Sequence, residues 1–322
     1  MRMTEIWRAS IPGHTAHTAL ADPASKSLFV SDGWGVAYAA LRLYRLDPET
    51  GEKLAEVRTR QQHVSALVAA DDSLFVATHS RLLRLRPQDL RMVGHWDKVL
   101  PSDSQQLVSA GQWLVAANRR KPTVGLFEPA SGASVRLDVG LQPLVFVHGG
   151  EAKVAEGFQG GIRTVDLERR CLLGAEPGPP LAAVDAGAEI WGIGAEVAGD
   201  AESGPSASTW SKPGTARVLK IGGGEEERPW SAWLPAPGVA LYCDDGRGLI
   251  WCLVGPDAAT LVAVSQEERR LVQMFPAGTG RYWVYFDPLS GLAVTAQTAE
   301  DGEGYRPSQS LSTLSGHLVL DD

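Results

Sequence analysis

The sequence predicts an all-β fold: a single seven-bladed β-propeller over residues 1–322, four antiparallel strands per blade, its ring closed by the N-terminal strand completing the last blade. Three observations point there. A short alternating apolar run ending in a turn signal recurs seven times, a second apolar run precedes each copy, and no segment sustains a helical period. Four-strand units spaced by roughly 40–45 residues are the mark of propeller blades.

The clearest copies of the recurring run are Arg42–Gly51, Arg81–Pro87, Thr123–Gly132 and Gly161–Leu167, followed by weaker ones at Ala216–Gly222, Thr260–Ser265 and Ser310–Gly316. With Leu46, Leu85, Phe127, Val165, Ile221, Val264 and Leu314 as anchors, the spacings are 39, 42, 38, 56, 43 and 50 residues. Upstream, behind a small polar turn, lie Ser27–Ser31, Ser73–Thr78, Gln112–Ala117, Ala152–Glu156, Glu189–Ile193, Leu249–Val254 and Leu292–Ala296. Before that turn comes a further run, as in Ser65–Ala69, Leu144–Val147 and Val239–Tyr242, and after the recurring run a fourth, as in Lys53–Arg58 and Ser134–Val139. Runs of four to six residues, β-branched or aromatic and bounded by Gly, Asp, Pro and Ser, are strands. The blades therefore fall at about 17–60, 61–103, 104–140, 141–178, 179–235, 236–280 and 281–322 with 4–11. Glu5–Ser10 has no blade of its own, so it is expected to pair with the C-terminal strands and cover an otherwise open sheet edge.

Leu46–Gly51 and Phe127–Gly132 resemble the strand-turn consensus of the degenerate YVTN and PQQ-like, WD40-like propeller repeats, with Phe29-Val30 and Phe75-Val76 at the second-strand core positions. The resemblance spans nearly the whole chain and implies the ring architecture, not an activity. Gly94-His95-Trp96-Asp97 occurs once, in the outer strand of blade two, so the Gly-His and Trp-Asp signals of regular WD40 repeats are not in register. The stacked tryptophans of quinone-binding propellers are absent too.

Composition narrows the partners. Thirty basic against 38 acidic side chains leave a formal charge of −8, which argues against nucleic acid, although Arg119-Arg120-Lys121 forms a short basic patch. No apolar run approaches the ~18 residues of a membrane span. Cys171, Cys243 and Cys252 follow no metal-ligand spacing, and the first residues carry no apolar leader, so a cytoplasmic protein with free thiols is expected. Nucleophile-elbow, phosphate-loop, zinc-protease and paired-cysteine motifs are not found.

The candidate residues gather where inner strands begin and where second strands turn into third ones, at one mouth of the expected channel. His14, His17, His63 and His79 all map there with Asp32. Imidazoles on neighbouring strands suit a divalent transition metal, and His17 with His63 could instead act as an acid–base pair. Equally, these histidines are turn residues bonded to loop carbonyls. Trp34, His79, Gln106, Gln142, Phe158, Tyr282 and Trp283 would line a binding face, and Trp210, in a long polar insertion at 196–216, is either a lid and partner anchor or docked on its own blade. Trp113, Trp191 and Trp251, mid-strand, are expected in the core. The resulting expectation is a non-catalytic scaffold offering its channel mouth to a protein or peptide partner or a small-molecule ligand, with no nucleic acid and no membrane involved. The alternative is a metal- or histidine-dependent enzyme of the lactonase, hydrolase or lyase kind, although the Arg-His motif of seven-bladed lactonases is not present.

Overall fold

A computed structural model describes residues 1–12, 16–32, 41–59, 63–157, 160–176, 178–195, 216–221, 231–236, 238–255, 258–297 and 311–320. They form seven four-stranded antiparallel sheets, in two compact units: 1–107 with 277–322, and 108–276. In the first unit, blade one comprises Ala16–Asp22, Ser27–Asp32, Arg42–Leu46 and Lys53–Arg58. Blade two comprises Val64–Ala70, Ser73–Thr78, Arg81–Leu85 and Met92–Asp97. Blade seven comprises Arg281–Asp287, Leu292–Gln297, Leu311–Leu320 and, from the other end of the chain, Arg2–Pro12.

Blade three begins with Gln106–Ala110 and continues through Trp113–Ala117, Thr123–Glu128 and Ala133–Asp138. Blade four follows with Pro143–His148, Glu151–Glu156, Ile162–Asp166 and Cys171–Glu176. Blade five is Leu181–Ala186, Ile190–Ala195, Ala216–Ile221 and Ser231–Trp233, and blade six Gly238–Asp244, Leu249–Val254, Thr260–Ser265 and Arg270–Pro276. The first strands of blades seven, one and two touch in succession, as do those of blades four, five and six, so the first strand of each of these blades is the inner one, and the repeated strand order gives blade three the same arrangement. No helix among the described residues is long and apolar enough to cross a membrane.

Burial follows strand position. Second strands such as Ser27–Asp32, Ser73–Thr78 and Leu249–Val254 are buried at every residue, because neighbouring strands and neighbouring blades cover both faces. Outer strands such as Met92–Asp97 and Ala133–Asp138 alternate between half-buried and exposed, one face on the core and one in water. Trp113, Trp191 and Trp251 are all buried in the core, as their mid-strand places require.

The N-terminal strand pairs antiparallel with Leu311–Leu320 along its length, with one irregularity between Glu5 and Trp7. Leu311–Leu320 is a single strand, so His317–Leu320 extends the third strand of blade seven and the N-terminal strand supplies the outer edge. Trp7 fastens this edge. Its register partner is Gly316, where an added Cβ would come within 2.0 Å of the indole ring. The same ring covers Gly51 of blade one, where a Cβ would lie 2.6 Å away and the φ of +71° is one only glycine adopts freely. The indole N–H donates to the Pro48 carbonyl at 2.8 Å. The Asp47–Gly51 turn holds that carbonyl in place: Asp47 Oδ1 accepts from the Glu49 and Thr50 amides, both at 2.8 Å, and these bonds keep its carboxyl below the usual carboxylate range. Tyr44, fully buried, adds a second tie by donating to the Pro12 carbonyl at 3.0 Å.

Trp7→Ala is expected to lower unfolding free energy by about 3–5 kcal/mol, as for a large buried aromatic. Gly316→Ala should destabilise as well, by forcing the ring out of its slot. Urea melts of both variants check this; wild-type midpoints would show that the strand is not fastened through Trp7.

Candidate functional site

The end of a blade where its inner strand begins is its upper end; the turn into the second strand lies at the lower end. Strand alternation then places the second-to-third-strand turn at the upper end as well. His63 directly precedes the inner strand of blade two, and His79 follows its second strand, so both rings stand at one upper end. A single carboxylate joins them: Asp103 Oδ1 lies 2.8 Å from His79 Nδ1 and 3.3 Å from His63 Nε2. Asp103 belongs to the connection that leaves blade two, and backbone bonds lay that connection against the His79-Ser80 turn. Lys98 N–H donates to the Ser80 carbonyl at 2.8 Å, and Asp103 N–H to the His79 carbonyl at 3.0 Å. His79 is the more open of the two histidines, its side chain 58% exposed against 26% for His63.

Asp32 closes the second strand of blade one, paired with Ala16. It is buried, 3% exposed, and its Oδ1 accepts from the Arg42 amide at 2.8 Å while Oδ2 finds no partner among the described residues. Burial pushes its carboxyl up to about 7, against which the Arg42 amide bond and charge act only partly. Arg42 itself turns to Glu56, 2.7 Å away.

Other upper-end positions are braces. Tyr282 of blade seven spans to blade one, where its hydroxyl accepts from Ala16 N–H at 3.0 Å and donates to the Ala16 carbonyl at 2.9 Å. Trp283 is buried, 2% exposed, its ring edge-on to His317 with centroids 5.2 Å apart. In the second unit Gly157 ties blade four to blade five: its N–H donates to the Gln142 carbonyl at 3.1 Å, and its carbonyl accepts from Leu181 N–H at 2.9 Å. A Cβ at Gly157 would meet the Gln142 carbonyl at 2.5 Å, so only glycine lets the two strands approach this closely. Gln142 holds a left-handed φ of +55° beside it. Gln106 opens the inner strand of blade three, half-buried.

No protein-family profile matches the chain, and no curated protein does. Solved structures do. The WD40 domain of Pan2 from Neurospora crassa superposes with a TM-score of 0.65 at 10% identity, over 97% of this chain and 95% of that one. The fold is a seven-bladed, WD40-like β-propeller.

Of the propeller's expected site residues, the structure brings His63 and His79 together through Asp103. It places Asp32 on the Arg42 amide of its own blade and Tyr282 and Trp283 in packing roles. His14, Trp34, Phe158, Trp210 and most of the 196–216 insertion lie outside the described residues, as does the side chain of His17. Among the described residues no group of three His, Cys, Asp or Glu side chains is placed to hold a metal ion. Asp103 is the residue that sequence reasoning missed. Its only signal is a turn context, Pro101-Ser102-Asp103-Ser104, which marks a bend without saying what the carboxylate meets.

Asp32 yields a test with a definite sign. Its folded pKa is raised from 3.8 to about 7, so the folded protein holds this proton more tightly than the unfolded chain does. The contribution to stability is complete below the ordinary value and is lost as pH rises through about 7, at up to about 1.4 kcal/mol per pH unit. Asp32→Asn keeps an acceptor for the Arg42 amide and cannot ionise. Its stability relative to wild type should climb between pH 4 and 7 and level off above; parallel pH–melting curves for the two proteins would disprove the assignment.

Proposed function

We propose that this propeller is a non-catalytic binding scaffold that docks a protein or peptide partner on the upper ends of blades seven, one and two, with Gln106 at their border with blade three. The observation that carries the reading is bracing. Tyr282 stitches blade seven to Ala16 of blade one, and Asp103 gathers the blade-two connection, His63 and His79 into one polar knot. Side chains held in one conformation, as Tyr282, His63 and His79 are, lose little entropy on association, which favours binding. Propellers of the WD40 kind commonly mediate protein interaction, which supports the same assignment. The test is partner capture by wild type, by the upper-end variant His79→Ala/Gln106→Ala, and by Leu289→Ser, which alters a side chain 83% exposed at the lower end of blade seven. Proteins held by wild type and Leu289→Ser but lost by the double variant are expected. Loss with Leu289→Ser alone would place binding at the other end.

A second reading, metal- or histidine-dependent chemistry at the upper end of blade two, is favoured by Asp103. A carboxylate on His79 Nδ1 fixes the orientation of the ring, as a general base requires. Zinc titration followed by elemental analysis discriminates. Near-stoichiometric zinc on wild type and none on a folded His63→Ala/His79→Ala variant would favour this reading; zinc on neither removes its metal form.

A further inference from the structure

The arginines of this protein are unevenly satisfied, and the exception is informative. Nine of them among the described residues are partly withdrawn from water. Five rest against carboxylates: those of Glu56, Asp97, Glu156, Asp244 and Glu5. Two donate to serine hydroxyls, and Arg217 stacks on Trp233 with its guanidinium carbon 3.5 Å from the ring centre. The ninth, Arg119, makes no hydrogen bond or ion pair among the described residues. Burial alone bears on its guanidinium, pulling the pKa below the ordinary arginine value with no carboxylate to oppose it. Arginine stays charged nonetheless, so the fold carries a partly desolvated cation whose cost no described residue offsets.

Its setting is firm. Arg119 stands on the turn between Trp113–Ala117 and Thr123–Glu128, at the upper end of blade three. Buried Asn118 anchors that turn, its Oδ1 accepting from Arg120 N–H at 2.8 Å and its carbonyl from Lys121 N–H at 2.9 Å. Arg120 and Lys121 point their charges from exposed positions beside it. Three consecutive cations thus stand together on a chain whose net charge is −8, so an acidic segment is drawn to this turn against the overall charge of the chain.

We infer that Arg119 is the anchor of an anion-binding site on the upper end of blade three, and that its occupant is a carboxylate side chain of an acidic peptide segment in a partner protein. The planar guanidinium presents paired N–H donors that match a carboxylate in two parallel bonds, with Arg120 and Lys121 attracting neighbouring acidic residues of the same segment. The inference rests on the binding-scaffold reading and adds to it a separate position, on blade three of the second unit, with the chemistry of what it binds.

The probe is a fluorescein-labelled hexaglutamate peptide, with hexaglutamine as the neutral control, titrated by fluorescence anisotropy at about 0.15 M salt. Wild type should bind hexaglutamate saturably and hexaglutamine not at all. Arg119→Ala should weaken binding at least tenfold, Arg119→Lys should restore only part, and Arg136→Ala, which removes an exposed charge from the outer strand of the same blade, should stay within twofold. Because an unpaired cation is being removed, Arg119→Ala should melt no lower than wild type; a lower melting temperature would make Arg119 a structural residue and overturn the inference. So would hexaglutamate affinity unchanged by Arg119→Ala, or no saturable binding. Complete displacement of hexaglutamate by millimolar inorganic phosphate, with a single glutamate binding as well as six, would mark a small-anion site and overturn the peptide assignment. If hexaglutamate fails while captured partners are still lost with His79→Ala/Gln106→Ala, the Arg119 site falls and the scaffold reading stands.

Discussion

Trp7 sits where the two ends of the chain meet. Its strand, Arg2–Pro12, comes from the first residues and completes a sheet otherwise built from the last ones, and its indole reaches to the Asp47–Gly51 turn of the next blade. Three glycine-dependent or turn-dependent features make room for it: no Cβ at Gly316, no Cβ at Gly51, and a Pro48 carbonyl held outward by the Asp47 turn. Removing any one of them displaces the ring from contacts that couple blade seven to blade one. Non-local closure of this kind carries a loop entropy that local hairpins do not, and one buried aromatic with a satisfied N–H helps to offset it.

The upper ends of the blades show a consistent treatment of polar groups. Tyr282, Gly157, His63, His79 and Asp103 direct their hydrogen-bonding groups to neighbouring strands and connections. Asp32 and Arg119 depart from this: among the described residues Asp32 Oδ2 has no hydrogen-bond partner, the carboxyl holding a proton up to about pH 7, and the partly buried Arg119 has no counterion. The thiols follow the first pattern: Cys243 and Cys252 are pushed upward by burial, so they behave as small apolar side chains. Cys243 also gives its amide to Asp185 at 2.9 Å, a lower-end tie between blades six and five.

Much of the fold is legible in the amino-acid order. The strand limits Arg81–Leu85, Lys53–Arg58 and Thr123–Glu128 coincide with or lie inside the recurring runs, because period-two alternation and Asp, Pro and Gly turns act over a few residues. The closing role of Glu5–Ser10 follows from counting strands. The site is legible only in part. His63 and His79 are placed at one upper end by strand order alone, yet nothing near Asp103 in the sequence says that its carboxylate meets both rings. The basic triplet at Arg119 is visible as charge, while whether Arg119 meets a counterion is not.

Local sequence suffices to set the number of blades, the order of strands within them, the core tryptophans and the strand that closes the last blade. Each of these depends on alternation and turn chemistry over a few residues, repeated often enough to count. Which polar groups are paired is a matter of tertiary packing. Asp103 and His63 are 40 residues apart, Trp7 and Gly316 lie near opposite termini, and whether Asp32 or Arg119 is covered depends on packing by other segments. Pairing and burial are properties of distances between such segments, and only the folded chain sets those distances.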